Sequence, residues 1–364
     1  MQSLCLSLLL SVVGAQIQLV KRADNTQPFG NNKIVNFSSA YLGEQSSAPC
    51  SHRDLGFTGK INGKWYAVYG DTLFCANGVT DPHLDDGQFH GMVRDAVASL
   101  SVDGLSATFL QLDGSGHPKQ FVPFNSAWGE TNLYGFGGTS LCETNAASSQ
   151  GAIYYLVNAN DAGLKGAGVG RVQVQNGIPN VVQRYGTNGW WWNANTSAHY
   201  GDIAAYKDDN SGYIYILGNP PNSVTTFPDN LYTYMARVTA ANAFNLASYE
   251  YWWGRTAGWK SDLLTTFNSE TAVMWGVGQG QFHWNNFYNC YMFIHLSGNN
   301  VNIRTADSAQ GPWSADITVY TDNPASGEQV YAGVAHPYVD GSGKTLTISF
   351  TRANTIRVIK VTFS

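Results

Sequence analysis

The chain predicts an all-β fold, a five-bladed β-propeller with a central funnel, and three observations carry that reading. One pattern recurs five times: a Gly-rich or polar stretch, a turn, then an aromatic and β-branched run. Apolar and polar residues alternate through most of these runs, which is the period of a strand. Charged residues make up 12% of the 364 and glycines number 39, against a usual charged share of ~25%. Such a chain is globular and turn-rich, and no long amphipathic helix interrupts it.

The repeats follow in order. The first pairs Ser51-His-Arg-Asp-Leu-Gly-Phe57 with Lys64-Trp-Tyr-Ala-Val-Tyr-Gly-Asp71, and residues 95–101 supply its third strand. The second pairs Tyr134-Gly-Phe-Gly-Gly-Thr-Ser-Leu141 with Ala152-Ile-Tyr-Tyr-Leu-Val-Asn158, followed by residues 169–174. The third pairs Ala198-His-Tyr-Gly-Asp-Ile-Ala-Ala-Tyr206 with Gly212-Tyr-Ile-Tyr-Ile-Leu-Gly-Asn219, followed by residues 231–238. In the fourth, the segment 276–284 precedes Asn289-Cys-Tyr-Met-Phe-Ile-His295, with 301–305 after it. The fifth joins Tyr331-Ala-Gly-Val-Ala-His-Pro-Tyr338 to Lys344-Thr-Leu-Thr-Ile-Ser-Phe-Thr351, with 356–363 last. First strands crowd round the axis, where close backbone approach favours residues without Cβ; hence their glycines.

Residues 1–15 read as a signal peptide: an apolar run from Leu4 to Val13, then Gly14 and Ala15. That run is shorter than the roughly 20 residues a membrane span needs. Residues 16–22 read as a short propeptide ending in the dibasic pair Lys21-Arg22, a processing site of the fungal secretory route. Residues 23–364 are then expected to form one catalytic propeller, secreted and monomeric. Two glycosylation sequons, Asn36-Phe-Ser and Asn195-Thr-Ser, agree with secretion. A net charge of −5 without a basic cluster argues against nucleic acid and anionic membranes as partners.

Four cysteines follow the leader, with no CxxC spacing, so a structural zinc site is not expected. The first hairpin turns at Ile61-Asn-Gly-Lys64. With no bulge, residues whose numbers sum to 125 stand opposite each other. That places Cys50 against Cys75, within bridging reach, and Asp54 against Asp71 on one face. Cys142 and Cys290 fall in different repeats, and either pairing or burial as thiols remains open.

The predicted inner strands carry an unusual polar load. It comprises His52, Arg53 and Asp54, then Thr139, Ser140 and Glu143, then His199 and Asp202, then Gln279, Gln281 and His283, and finally His336. Four of the eight histidines are among them. Polar groups on buried strands cost free energy unless paired or wet, so their convergence suggests a ligand pocket. Taken singly, each also fits a turn cap or an interblade hydrogen bond. Carboxylate pairs suit the hydrolysis of a glycosidic bond, where one acid protonates the leaving oxygen and another acts as base or nucleophile. Asp54 and Asp71 are the expected catalytic pair. Asp202, in the similar frame Asp202-Ile203, is the third candidate, facing Asp54 across the funnel. His52, Arg53, His199, Gln281, His283 and His336 are expected to bind substrate. Trp191 and Trp192, in the loop triplet 190–192, offer faces for sugar stacking, with packing between blades as the plainer alternative. No cofactor is expected, although calcium at the axis or near Asp81, Asp85, Asp86, His83 and His90 stays open; the spacing matches no EF-hand loop. P-loop, HExxH and GxSxG patterns do not occur.

The frames Arg53-Asp-Leu-Gly56 and Gly63-Lys-Trp-Tyr-Ala-Val-Tyr-Gly-Asp-Thr72 resemble the opening of the domain-of-unknown-function 4185 family. Gly311-Pro-Trp-Ser314 and Tyr331-Ala-Gly-Val-Ala-His-Pro337 are similar to its last blades. The resemblance implies a five-bladed propeller of the type grouped as glycoside hydrolase family 183, with endo-D-arabinanase activity. It also implies Asp54 and Asp71 as the catalytic carboxylates. The loops around Trp190 to Trp192, Tyr251 to Trp253 and His83 depart from that pattern, so D-arabinan is one candidate glycan among several. The expected function is therefore a secreted glycoside hydrolase acting on a polysaccharide or oligosaccharide. The rival readings are a non-catalytic sugar-binding propeller and a polysaccharide lyase.

Overall fold

The computed structural model describes residues 29–364, apart from the side chains of residues 138 and 139. The expected leader and dibasic segment lie outside the described residues, as does the side chain of Thr139.

The described chain is built from antiparallel meanders. Strand β1 (Phe37–Glu44) comes first and is used last. The first meander is β2 (Ser51–Ile61), β3 (Lys64–Phe74), β4 (Ala96–Leu100) and β5 (Ser106–Phe109). The second is β6 (Gly138–Asn145), β7 (Gln150–Ala159), β8 (Gly163–Gln175) and β9 (Ile178–Arg184). The third is β10 (Ala204–Lys207), β11 (Tyr213–Gly218), β12 (Tyr232–Thr239) and β13 (Glu250–Trp252). The fourth is β14 (Gln281–Asn285), β15 (Cys290–Ser297), β16 (Asn300–Ala306) and β17 (Ile317–Thr321). The last is β18 (Val330–His336), β19 (Thr345–Arg352) and β20 (Thr355–Phe363), completed by β1 on its outer edge.

The first strands of the meanders touch in a closed cycle: β2 with β6, β6 with β10, β10 with β14, β14 with β18, and β18 with β2. A parallel bridge, Lys60 to Cys142, joins β2 to β6. Gly59 shows why glycine recurs here: a Cβ at this position would stand 1.9 Å from the Leu141 carbonyl oxygen. The core lies between neighbouring meanders, as period-2 alternation demands. Tyr154 and Val169 of the second pack with Ile214, Ile216 and Tyr234 of the third. Met292 and Ile294 of the fourth pack with Ile348, Phe350 and Val361 of the fifth. Full burial of one such side chain is worth about 1.5–3 kcal/mol, and each seam holds several. No helix among the described residues is long and apolar enough to cross a membrane.

The β2–β3 hairpin follows the expected register at both ends but not in the middle. Ile61 to Phe57 pair as predicted with Lys64 to Val68, and so do Arg53, His52 and Ser51 with Thr72, Leu73 and Phe74. Between them Leu55 pairs with Tyr69, one residue out of step, with an irregularity on each side. Leu55 (φ 62°) and Gly56 (φ 91°) both take left-handed backbone there, and the two shifts cancel. The Cys50–Cys75 disulfide therefore forms as expected, with Cα atoms 5.6 Å apart. Cys142 and Cys290 are buried free thiols.

Candidate active site

The compensated bulge sets Asp54. Its neighbour Leu55 donates its amide to Thr351 Oγ1 of β19 at 2.9 Å. Leu55 and Phe57 pack with Ala332 and Val334 of β18, where Ala332 repeats the positive φ, at 58°. The first and last meanders thus lock together around one distorted pair of strands. From β18, Tyr331 Oη donates to Asp54 Oδ2 at 2.8 Å. Oδ1 is buried and makes no well-formed hydrogen bond. It lies against the Gly70 backbone, where an added Cβ would fall 2.1 Å from it. Burial first, and the charge of Asp71 second, push the Asp54 pKa from 3.8 to about 7, against smaller opposing effects of the Tyr331 hydroxyl and the Asp71 amide.

Asp71 ends the same stretch of β3. Its side chain is about half exposed (48%), and Arg94 Nη1 stands 3.4 and 3.5 Å from its two oxygens. Burial raises its pKa, and Arg94 opposes that rise. The pair is therefore asymmetric. One carboxyl is deep and held by a phenol, with a pKa near neutrality; the other is wetter and faces a guanidinium.

The third meander supplies an internal comparison. Gly218-Asn219 ends β11 in the frame in which Gly70-Asp71 lies near the end of β3. Asp202 occupies the place of Asp54. Asp202 Oδ1 accepts the Asn219 amide and Oδ2 accepts Asn219 Nδ2, both at 3.0 Å. Where the third repeat satisfies its aspartate with an amide, the first confronts it with a second carboxylate. A buried acid left short of partners beside a like charge is the arrangement that raises a carboxyl pKa.

The other candidates are dispersed. Asp202 and His199 form a local clamp. His199 Nε2 bonds the Ala194 carbonyl at 2.9 Å, and Nδ1 lies 3.6 Å from Asp202. Burial disfavours charge on His199, but the Asp202 hydrogen bond and charge outweigh it, and its pKa is raised. No hydrogen bond or ion pair among the described residues links Asp202 to Asp54 or Asp71. His52 shares the Asp54 face and pairs with Asp85 at 3.0 Å. Arg53 points the opposite way, as strand alternation requires. It is fully buried and donates to the carbonyls of Gln45, Ser46 and Ser51, with its guanidinium 5.0 Å from the Tyr69 ring. Its expected contact with substrate is replaced by anchorage of the segment before β2.

Gln281 is a strut: it donates to the Thr58 carbonyl (2.7 Å) and Ser140 Oγ (3.0 Å), tying three inner strands. His336 is buried against Ser349 Oγ (2.8 Å), and burial pulls its pKa down to about 3. His283 lies further along the axis, away from the acid pair. Trp192 belongs to the core, with Nε1 donating to Tyr251 Oη at 3.0 Å, and Trp191 packs edge-on against it and against Tyr249. Trp192 presents no free stacking face, and Trp191 is half-buried. Asp85, Asp86 and His90 place one ligand atom each within 4.8 Å of one another and could hold a cation. Their oxygens already accept from the amides of Ala76 and Gln88.

Two residues at the pair escape sequence reasoning: Tyr331 and Arg94. A signal for the first exists, because Ala332-Gly333 repeats the small-residue distortion of Leu55-Gly56 in the neighbouring inner strand.

A family model described as "Domain of unknown function (DUF4185)" matches residues 49–362. No curated protein matches the chain by sequence. Among solved structures, one from Bacteroides ovatus, provisionally described as a hydrolase, is similar at 13% identity and a TM-score of 0.55, covering 88% of this chain and 87% of that one. A GH43_1 enzyme from Xanthomonas citri matches at 13% identity and a TM-score of 0.49, covering 89% of each chain. An alpha-L-arabinanase from Penicillium chrysogenum, solved with arabinobiose, matches at 8% identity and a TM-score of 0.39, covering 88% of this chain and 83% of that one. The chain belongs to the DUF4185 family, and its fold is all-β.

Proposed function

We propose that this DUF4185 member is a secreted, monomeric glycoside hydrolase that cleaves a polysaccharide with Asp54 and Asp71 as its acid/base pair. The observation that carries the reading is the half-satisfied Asp54 carboxyl beside Asp71, its Oδ1 buried without a partner, set against Asp202, both of whose oxygens accept from Asn219 in the same frame. The five meanders and their cycle of inner strands support a five-bladed propeller with the pair in its funnel. In this reading Asp54, protonated below about pH 7, gives its proton to the leaving glycosidic oxygen. Asp71, whose ionised form Arg94 favours against the effect of burial, serves as base or nucleophile. Tyr331 holds the Asp54 carboxyl in one orientation, so that proton transfer needs no side-chain search.

An arabinan-type glycan is the first candidate substrate, through the family resemblance. The test is release of new reducing ends by the purified protein from arabinans and other plant and fungal wall glycans. Product from at least one neutral glycan supports the reading. Glycan binding without any product would make the protein a lectin, and a product absorbing in the ultraviolet would make it a lyase.

A further inference from the structure

A cavity of about 420 Å³ lies at the other end of the inner-strand cycle. Thr58 and Lys60, late in β2, line it, and so does Pro337, just past the end of β18. Asp54 and Tyr331 sit near the starts of those same strands. Thr58 and Lys60 lie four and six positions along β2 from Asp54, about 13 and 20 Å at the rise of an extended chain, and none of Asp54, Asp71, Arg94 and Tyr331 lines this cavity.

His283 lines the cavity and is 3% exposed, yet neither ring nitrogen has a hydrogen-bond partner. The other buried histidines, His199, His295 and His336, each bond at least one nitrogen. Burial pulls the His283 pKa down to about 4. At neutral pH the ring is uncharged, with one N–H donor and one lone pair that no protein group satisfies. Trp65, Trp284 and Tyr338 also line the cavity, the Trp65 and Tyr338 rings 5.4 Å apart. The cations at the rim are already spoken for: Lys60 and Lys207 both pair with Asp209, at 2.8 and 2.5 Å. The lining carboxylates outside those ion pairs, Glu143 and Asp208, accept from the amides of Asn62, Asn210 and Ser211, and Asp208 also from the Tyr291 hydroxyl, so the lining disfavours an anion. Aromatic faces beside a neutral donor and acceptor suit a ligand with apolar faces and a girdle of hydroxyls.

We propose that this cavity is a second, non-catalytic binding site for a neutral sugar unit, anchored by His283 and walled by Trp65, Trp284 and Tyr338. The site would let the protein hold a glycan on the face opposite the acid pair. The proposal does not depend on hydrolysis by Asp54 and Asp71.

The test is an imidazole NMR titration of the intact secreted chain with L-arabinose, D-xylose and D-galactose at millimolar concentrations, with glycerol as control. The His283→Gln variant assigns the ring signals. The expected result is saturable movement of the His283 signals with at least one sugar and not with glycerol. Trp65→Ala should weaken that binding about tenfold, the equivalent of one lost stacking contact, while Asp54→Asn leaves it within about twofold, the spread expected for distant sites. Static His283 signals with every sugar would overturn the proposal, as would equal movement with glycerol. Loss of the response in Asp54→Asn would also overturn it, by relocating the ligand to the acid pair.

Discussion

Asp54 costs the folded chain stability at neutral pH. Its carboxyl has a pKa of 3.8 in the open chain and about 7 in the fold, so the native state holds the proton more tightly. Stability from this group is complete below about pH 4 and is lost as the pH rises through about 7. Asp54→Asn should therefore melt above the parent chain at about pH 8, with the gap closing near pH 4. A calorimetric series across that range checks it. The same proton sets the expected alkaline limb of activity, which should fall about tenfold per pH unit above about 7. Because the Tyr331 hydroxyl lowers the Asp54 pKa, Tyr331→Phe should move that limb upward. A pH–rate profile of the two proteins reads the shift directly. Arg53 marks the limit of residue-level reading. Its neighbours in sequence are site candidates, but strand alternation turns it to the other face, and parity alone separates it from His52 and Asp54.

At the scale of the element, the β2–β3 hairpin decides the site. Its two irregularities cancel, so the disulfide and the pairing of the two aspartates were legible from turn arithmetic that depends on the ends. The bulge itself was not, because Leu55 is an unfavourable residue for left-handed backbone and gives no local warning. Gly70→Ala should abolish activity, since its Cβ would fall 2.1 Å from Asp54 Oδ1 and 2.9 Å from Leu55 Cδ1. Gly114→Ala meets nothing within 4 Å and should be neutral. The third meander allows the reciprocal experiment. Asn219→Asp would rebuild a carboxylate pair with Asp202 and remove the hydrogen bond from Asn219 Nδ2, leaving the one from the backbone amide. It should destabilise by about 1–3 kcal/mol, more at pH 8 than at pH 4, because two neighbouring carboxylates repel when both are ionised. Chemical denaturation at the two pH values measures it.

Across the whole molecule, the ring of inner strands joins residues far apart in the chain. Tyr331 reaches Asp54 over 277 positions, a contact that no local pattern announces. Gln281 has the same reach: a buried amide, it bridges three inner strands and also lines the cavity that His283 shares. The recurrence of the meanders was legible because alternation and turn chemistry are local. Their closure rests on β1, which completes the last meander from the other end of the chain. The Cys50–Cys75 bridge pins the entry to the first meander by closing a loop of 25 residues, worth about 3 kcal/mol from loop entropy. Replacing both cysteines with alanine should lower the melting temperature without changing the β-sheet circular dichroism spectrum.

The most direct measurement of the central claim compares reducing-end release by the parent chain, Asp54→Asn and Asp71→Asn on a glycan the parent cleaves. Each variant should lose at least about a hundredfold in rate while keeping the parent's circular dichroism spectrum. Near-parental rates in either folded variant would contradict the assignment of that carboxylate to the chemistry.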